Sequence, residues 1–212
     1  TQMFGIFCDG LWIIMLGVWH KICIFNKKVV PLRCIMRECA FMHTNAKPKC
    51  PTAMKELEIK TKVTVCSQEE LPVDLRELVE TAKNKTQDAY CPYSHYHVGA
   101  AALLADGQVV TGANQENAAY PSGLCAERTT LFAANANNPT TPVSALAVAC
   151  YTDGHFTSDP ASPCGACRQV MLETETRFAT SMKVILYCES GCYVFDKAAD
   201  LLPMSFAAEL LA

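Results

Sequence analysis

A chain of 212 residues, half of them hydrophobic, is long enough to bury one full core. Its net charge of −3 is unevenly spread: residues 1–53 carry 7 Lys and Arg against 2 Asp and Glu, or +5, which leaves 11 against 19, or −8, for residues 54–212. An acidic domain of that kind is a poor partner for phosphate backbones, which argues against nucleic acid and for a small, weakly charged substrate.

The chain opens on an awkward stretch. Residues 11–19 (LWIIMLGVW) are apolar but number only nine, well short of the ~18 expected of a membrane span. Neither a basic start nor a small-residue cleavage site marks a secretory signal. Beyond them, basic residues are strewn among cysteines without helical or strand period. Residues 1–53 are therefore expected to be an extension, unstructured or non-native, such as upstream sequence read through a misplaced start. No function is assigned to it. Met54 opens more ordinary sequence, and residues 54–212 form the expected catalytic domain. Thirteen cysteines is an odd number, and several sit in apolar runs such as Leu146-Ala147-Val148-Ala149-Cys150. That usage suggests a reducing cytoplasm with buried thiols and a metal site, and no disulfide framework.

Pro72 begins a helical pattern in which Val73, Leu75, Leu78, Val79 and Ala82 recur at spacings of three and four, fading by Lys85. After Cys91-Pro92-Tyr93-Ser94, residues 97–104 form an apolar run of strand length. Asp106-Gly107 is a hairpin signal, followed by a second strand from Gln108 to Thr111. Pro121-Ser122-Gly123 precedes a helix beginning near Cys125, with Leu131, Phe132 and Ala136 on its inward face. Residues 143–151 read as a strand buried on both sides, and residues 164–178 as a second cysteine-led helix. Residues 183–188 supply another buried strand, so strand, helix and strand imply a parallel crossover. Cys192 to Phe195 add an edge. The predicted architecture is a three-layer α/β/α sandwich on a mixed sheet.

Two clusters carry the chemistry: Cys125-Ala126-Glu127, and Pro163-Cys164-Gly165-Ala166-Cys167. Both read as helix starts. Cys164-x-x-Cys167 alone is a weak signal that also fits a redox dithiol or a zinc knuckle. Cys125 changes its weight, because both helix starts can meet at one edge of the sheet. Three thiolates can hold one zinc and leave its fourth position open, which is catalytic in type. Glu127, two residues after the first cysteine, would face that position as proton shuttle. Three thiolates over-neutralise Zn²⁺, and helix N–H groups together with Arg128 and Arg168 are placed to offset the excess.

These residues resemble the zinc-dependent nucleoside deaminases, specifically the small cytidine deaminases whose three ligands are all cysteines. The superfamily's signature is a His or Cys, a Glu and then Pro-Cys-x-x-Cys. The resemblance runs from about Leu75 to Phe206. It includes Cys91 to Ala100, Gly112 to Pro121, Cys125 to Thr129, Ser162 to Gln169 and Leu201 to Phe206. It implies Cys125, Cys164 and Cys167 as ligands of one zinc per subunit, with Glu127 as the shuttle and Arg128 tuning the metal. Asn114 and Glu116 match a segment that holds the ribose hydroxyl, and Asn117 and Ala126 fall among the substrate-binding positions. Tyr96 stands where the family usually stacks a phenylalanine on the pyrimidine, so its hydroxyl needs a partner. Tyr120 and Phe206 match positions that reach into a neighbouring subunit's pocket, which implies a homotetramer.

The implied reaction is hydrolytic deamination of free cytidine or deoxycytidine: water attacks C4, and Glu127 delivers protons to N3 and then to the leaving amine. Two other readings stay open at this point. A polynucleotide-editing relative would want a basic groove and usually a His as first ligand. A zinc-stabilised or dithiol-redox module would have no hydrolase activity.

Overall fold

The computed structural model describes residues 54–207 in full and, between residues 4 and 31, the backbone of four strands. The chain divides into two units, Thr1–Leu57 and Glu58–Ala212. In the first, β1 (Phe4–Cys8), β2 (Leu11–Leu16), β3 (His20–Phe25) and β4 (Lys28–Pro31) pair in sequence order as an antiparallel meander. The sequence reading expects residues 1–53 to be unstructured or non-native; the four strands follow runs of large apolar and β-branched residues such as LWIIML, which favour extended pairing. Residues 32–53, on which the rest of that expectation falls, lie outside the described residues.

The second unit is built on a mixed sheet of seven strands. They are β5 (Thr64–Cys66), β6 (His97–Leu104), β7 (Val109–Ala113), β8 (Val143–Thr152), β9 (His155–Phe156), β10 (Lys183–Cys188) and β11 (Gly191–Phe195). The order is β5-β11-β10-β8-β6-β7, with β9 paired to β8. β6 and β7 form the expected hairpin, and Gly107 at its turn has φ +88°, a left-handed conformation that glycine adopts freely. β8 and β10 run parallel, joined through a helix as the crossover requires. β5 and β9, of three and two residues, are too short to leave a periodic signal in the sequence.

Three helices cover the sheet: α1 (Val73–Lys85), α2 (Ala126–Asn137) and α3 (Gly165–Phe178). Strand alternation assigns the two faces. Ala100, Ala102, Leu104, Leu146 and Val148 pack with Leu131, Ala134 and Met171 of α2 and α3. Ala101, Ala145, Ala147 and Ala149 pack with Leu75, Leu78, Val79 and Ala82 of α1. The result is the expected three-layer α/β/α sandwich. Val73, at the head of the α1 pattern, is exposed, and two residues expected on the inward face of α2, Phe132 and Ala136, face outward. Each lies off the buried stripe of its helix, which on α2 runs through Glu127, Thr130, Leu131 and Ala134.

Two glycines set how closely the layers approach. A Cβ at Gly99 would sit 2.2 Å from the Ala82 carbonyl oxygen, so α1 lies directly on β6. A Cβ at Gly112 would meet the Thr130 hydroxyl at 2.6 Å, which brings α2 equally close to β7.

Candidate active site

α2 and α3 both begin at the same end of the sheet with a cysteine at the N-cap. Cys125 (φ −70°, ψ 155°) and Cys164 (φ −65°, ψ 163°) are extended, and neither side chain caps its own helix. The sulfurs therefore remain free to face one another across the unbonded N–H groups of two helix termini. The Cys125 and Cys164 sulfurs are 3.8 Å apart, and Cys164 and Cys167 are 3.3 Å apart. All three sulfurs lie within 4.8 Å of one another, the only such metal-ligating group among the described residues. Cys164 is exposed, Cys125 half-buried and Cys167 fully buried.

The electrostatics favour a negative cluster. The Cys125 thiol is pulled down to about 5, chiefly by the hydrogen bond from Cys167 and then by Arg128. Cys167, the donor in that bond, is pushed up correspondingly. Arg128 reaches the Cys125 sulfur through Nη2 at 3.8 Å and the Gly123 carbonyl at 3.5 Å. Arg168 does not join it. Its guanidinium turns to two backbone carbonyls, Pro163 at 2.8 Å and Leu201 at 2.9 Å.

Glu127 occupies the second position of α2 and is 5% exposed. Burial pushes its carboxyl above the usual range, and the Cys125 charge adds to the effect. It lines a cleft of about 720 Å³ together with Cys125, Cys164 and Arg128. A family profile described as "Cytidine and deoxycytidylate deaminase zinc-binding region" matches residues 72–182, and so spans both cysteine clusters and Glu127. The chain belongs to that family.

Relatives of this zinc-deaminase chain bear cytidine deaminase names. The cytidine deaminase of Halalkalibacterium halodurans is 42% identical over 137 residues, 65% of this chain and 97% of the relative. That of Sporosarcina psychrophila is 41% identical over 141 residues, 66% of this chain and 96% of the relative. Among solved structures, cytidine deaminase from Burkholderia pseudomallei superposes with a TM-score of 0.53 at 43% identity, covering 61% of this chain and 97% of that one. Cytidine deaminase from Mycobacterium tuberculosis gives 0.51 at 35% identity, covering 64% and 99%.

Zinc fits the sulfur group. Tetrahedral coordination at Zn–S distances of ~2.3 Å places sulfurs about 3.8 Å apart. The Cys125–Cys164 separation of 3.8 Å matches that value, the Cys164–Cys167 pair is tighter at 3.3 Å, and all three sulfurs lie within 4.8 Å of one another. With Arg128 set against Cys125, the charge excess of three thiolates is partly offset on the protein side.

The remaining expected residues divide into two groups. Tyr96, Asn114, Glu116, Asn117 and Tyr120 line the cleft. Asn114 ties the sheet end together, with Oδ1 accepting from the Val98 N–H and Nδ2 donating to the Tyr96 carbonyl, both at 2.9 Å. Glu116 accepts the Ser94 hydroxyl and the Tyr93 and Ser94 N–H groups, and these bonds hold its carboxyl low. Ala126 and Phe206 are not among the cleft's lining residues. The Ala126 methyl is buried in the core, so only its backbone N–H can serve the cleft. Phe206 is 59% exposed on the C-terminal tail.

Sequence reasoning missed the cleft wall formed by Val148 and Cys150 of β8. Strand alternation from Leu146 carries the signal, since every second residue shares its face. Cys150 is also the partner that the Tyr96 hydroxyl requires. Burial first, and then their contact, raise the Tyr96 hydroxyl to about 12; burial chiefly raises the Cys150 thiol, also to about 12, with the Tyr96 contact opposing and the Glu127 charge adding.

Proposed function

We propose that the chain hydrolytically deaminates free cytidine and deoxycytidine to uridine and deoxyuridine with release of ammonia, as a step of pyrimidine salvage. The observation that carries this reading is that two of three clustered sulfurs, those of Cys125 and Cys164, line a cleft large enough for a nucleoside together with the buried Glu127 carboxyl. The names of the relatives support the substrate class.

In this reading Cys125, Cys164 and Cys167 hold one zinc per subunit. Bound zinc supplies a Lewis acid that brings the pKa of a water toward ~7. Glu127 takes a proton from the attacking water and passes it to N3 as C4 becomes tetrahedral. It then takes the second proton and gives it to the leaving amine as the C4–N4 bond breaks, so water and cytidine yield uridine and ammonia. Burial raises the carboxyl above its ordinary range, which suits a group that must both accept and return a proton. Arg128 and the two helix termini offset the thiolate charge.

Asn114 and Glu116 take the ribose hydroxyl. The Asn114 amide keeps one N–H and one lone pair beyond its two backbone bonds. Tyr96 stacks on the pyrimidine with its hydroxyl occupied by Cys150, and Asn117 and the Ala126 N–H complete the subsite. Tyr120 and Phe206 act on a neighbouring subunit's cleft in a homotetramer. Their exposure of 77% and 59%, with Phe132 at 47%, supplies apolar surface for such contacts. Residues 54–212 carry the activity, and residues 1–53 contribute none. Eight free thiols among the described residues suit a reducing cytoplasm. Among the described residues, no helix is long and apolar enough to cross a membrane.

The test is ammonia release from cytidine and deoxycytidine by the zinc-loaded protein. The expected result is turnover that stops on chelation and returns with zinc. Zinc-loaded protein that releases no ammonia from either nucleoside overturns the reading.

A further inference from the structure

α3 grips the C-terminal tail at both ends of a short 3-10 turn, Ala198–Leu201. Glu175, only 9% exposed, receives the N–H groups that open the turn: Ala198 at 2.9 Å on Oε1 and Ala199 at 2.9 Å on Oε2. Its Oε1 also accepts the Met182 N–H at 2.7 Å. Arg168 takes the carbonyl that closes the turn, donating from Nη1 to Leu201. Arg168 and Glu175 are seven residues apart, two helical turns, and so share one face of α3. The signs suit the turn, with an anion at its free N–H end and a cation at its free carbonyl end.

The second arm of Arg168 gives this clamp a further reach. Its Nε donates at 2.8 Å to the Pro163 carbonyl, the peptide that leads directly into Cys164. Cys164 is exposed and is an N-cap without a side-chain cap bond, so packing alone does not hold it. We propose that Arg168 is a positioning residue for Cys164: it pins the Pro163–Cys164 peptide to the tail turn that Glu175 anchors, and thereby fixes the sulfur for zinc. This rests on the reading of Cys164 as a ligand. It gives the tail a task within its own subunit, separate from any contact with a neighbour.

The experiment is zinc affinity of the full chain, measured by competition with a chromogenic chelator, for the wild type, Arg168→Gln, Arg168→Lys and Glu175→Gln. Unfolding midpoints of the zinc-free proteins are measured alongside. Outer residues that orient a metal ligand typically change affinity 10- to 100-fold. Arg168→Gln is expected to weaken zinc binding by about 10-fold or more. Arg168→Lys, which keeps a donor but cannot span both carbonyls, should fall between it and the wild type, and Glu175→Gln should show a smaller loss. An Arg168→Gln protein that binds zinc within twofold of wild type overturns the proposal. So does a loss shared equally by Arg168→Lys, or one matched by unfolding of the zinc-free protein. Failure of the wild type itself to bind zinc counts against the ligand reading and is thereby distinguished from failure of the clamp.

Discussion

Glu127 is a carboxyl with almost no solvent contact, held above its usual range beside a cluster of sulfurs. If it moves both protons, Glu127→Ala should retain zinc and fold while kcat falls by roughly 10²- to 10⁴-fold. Metal content and steady-state kinetics on the same preparation check this, and a variant with near-normal turnover removes the shuttle role. The Tyr96–Cys150 pair supplies a pH test. Each group is raised to about 12 in the folded chain, from ordinary values of 10.0 and 9.0. The folded state thus keeps protons that the unfolded chain releases, so this contribution is complete below about pH 9 and is lost as pH rises toward about 12. Cys150→Ser keeps a hydroxyl partner for Tyr96 and does not titrate in that window. It should therefore lose less stability than wild type between those limits, measured by urea unfolding. Neither residue's part was legible from local sequence. Tyr96 announced only an unmet hydroxyl, and its partner stands 54 residues away in the chain, on β8.

At the scale of elements, cysteine N-caps and close helix–sheet contacts decide whether the cluster forms. α1 lies on β6 because Gly99 has no Cβ to strike Ala82. Gly99→Ala should lower stability by about 1–3 kcal/mol or more, because the obstructing atoms are backbone and cannot step aside. Chemical denaturation of the zinc-free protein measures it, and an unchanged midpoint contradicts the packing argument. Long elements were readable: residues 97–104, 143–152 and 183–188 show the apolar runs of buried strands, and α1 shows its stripe. Arg168 was not. Its position beside Cys167 suggested a charge aimed at the metal, but helical geometry turns the next residue about 100° away, toward the tail.

For the whole molecule, the division into Thr1–Leu57 and Glu58–Ala212 sets the largest test. A chain beginning at Met54 should deaminate cytidine with kcat/KM within about twofold of the full chain, since every proposed site residue lies beyond it. A large loss would give residues 1–53 a task in catalysis. Size-exclusion chromatography with light scattering on the same two proteins tests the homotetramer, and a monomer that retains full activity would leave Tyr120 and Phe206 without a role in a neighbour's cleft. The sequence by itself pointed to the chemistry, because three cysteines and a glutamate at two helix starts form a local motif, and the resemblance to the zinc-dependent deaminases gave that motif a reaction. It also determined the layer order, because hydrophobic period is a local property. Only the tertiary structure decided which side chains meet: that Cys150 answers Tyr96, that Asn114 ties Val98 to Tyr96 while Glu116 holds Tyr93 and Ser94, and that Arg168 holds two backbone carbonyls while Arg128 reaches the Cys125 sulfur. Those pairings join residues far apart in the chain. Their geometry is set by how helices and strands pack, and no local pattern encodes it.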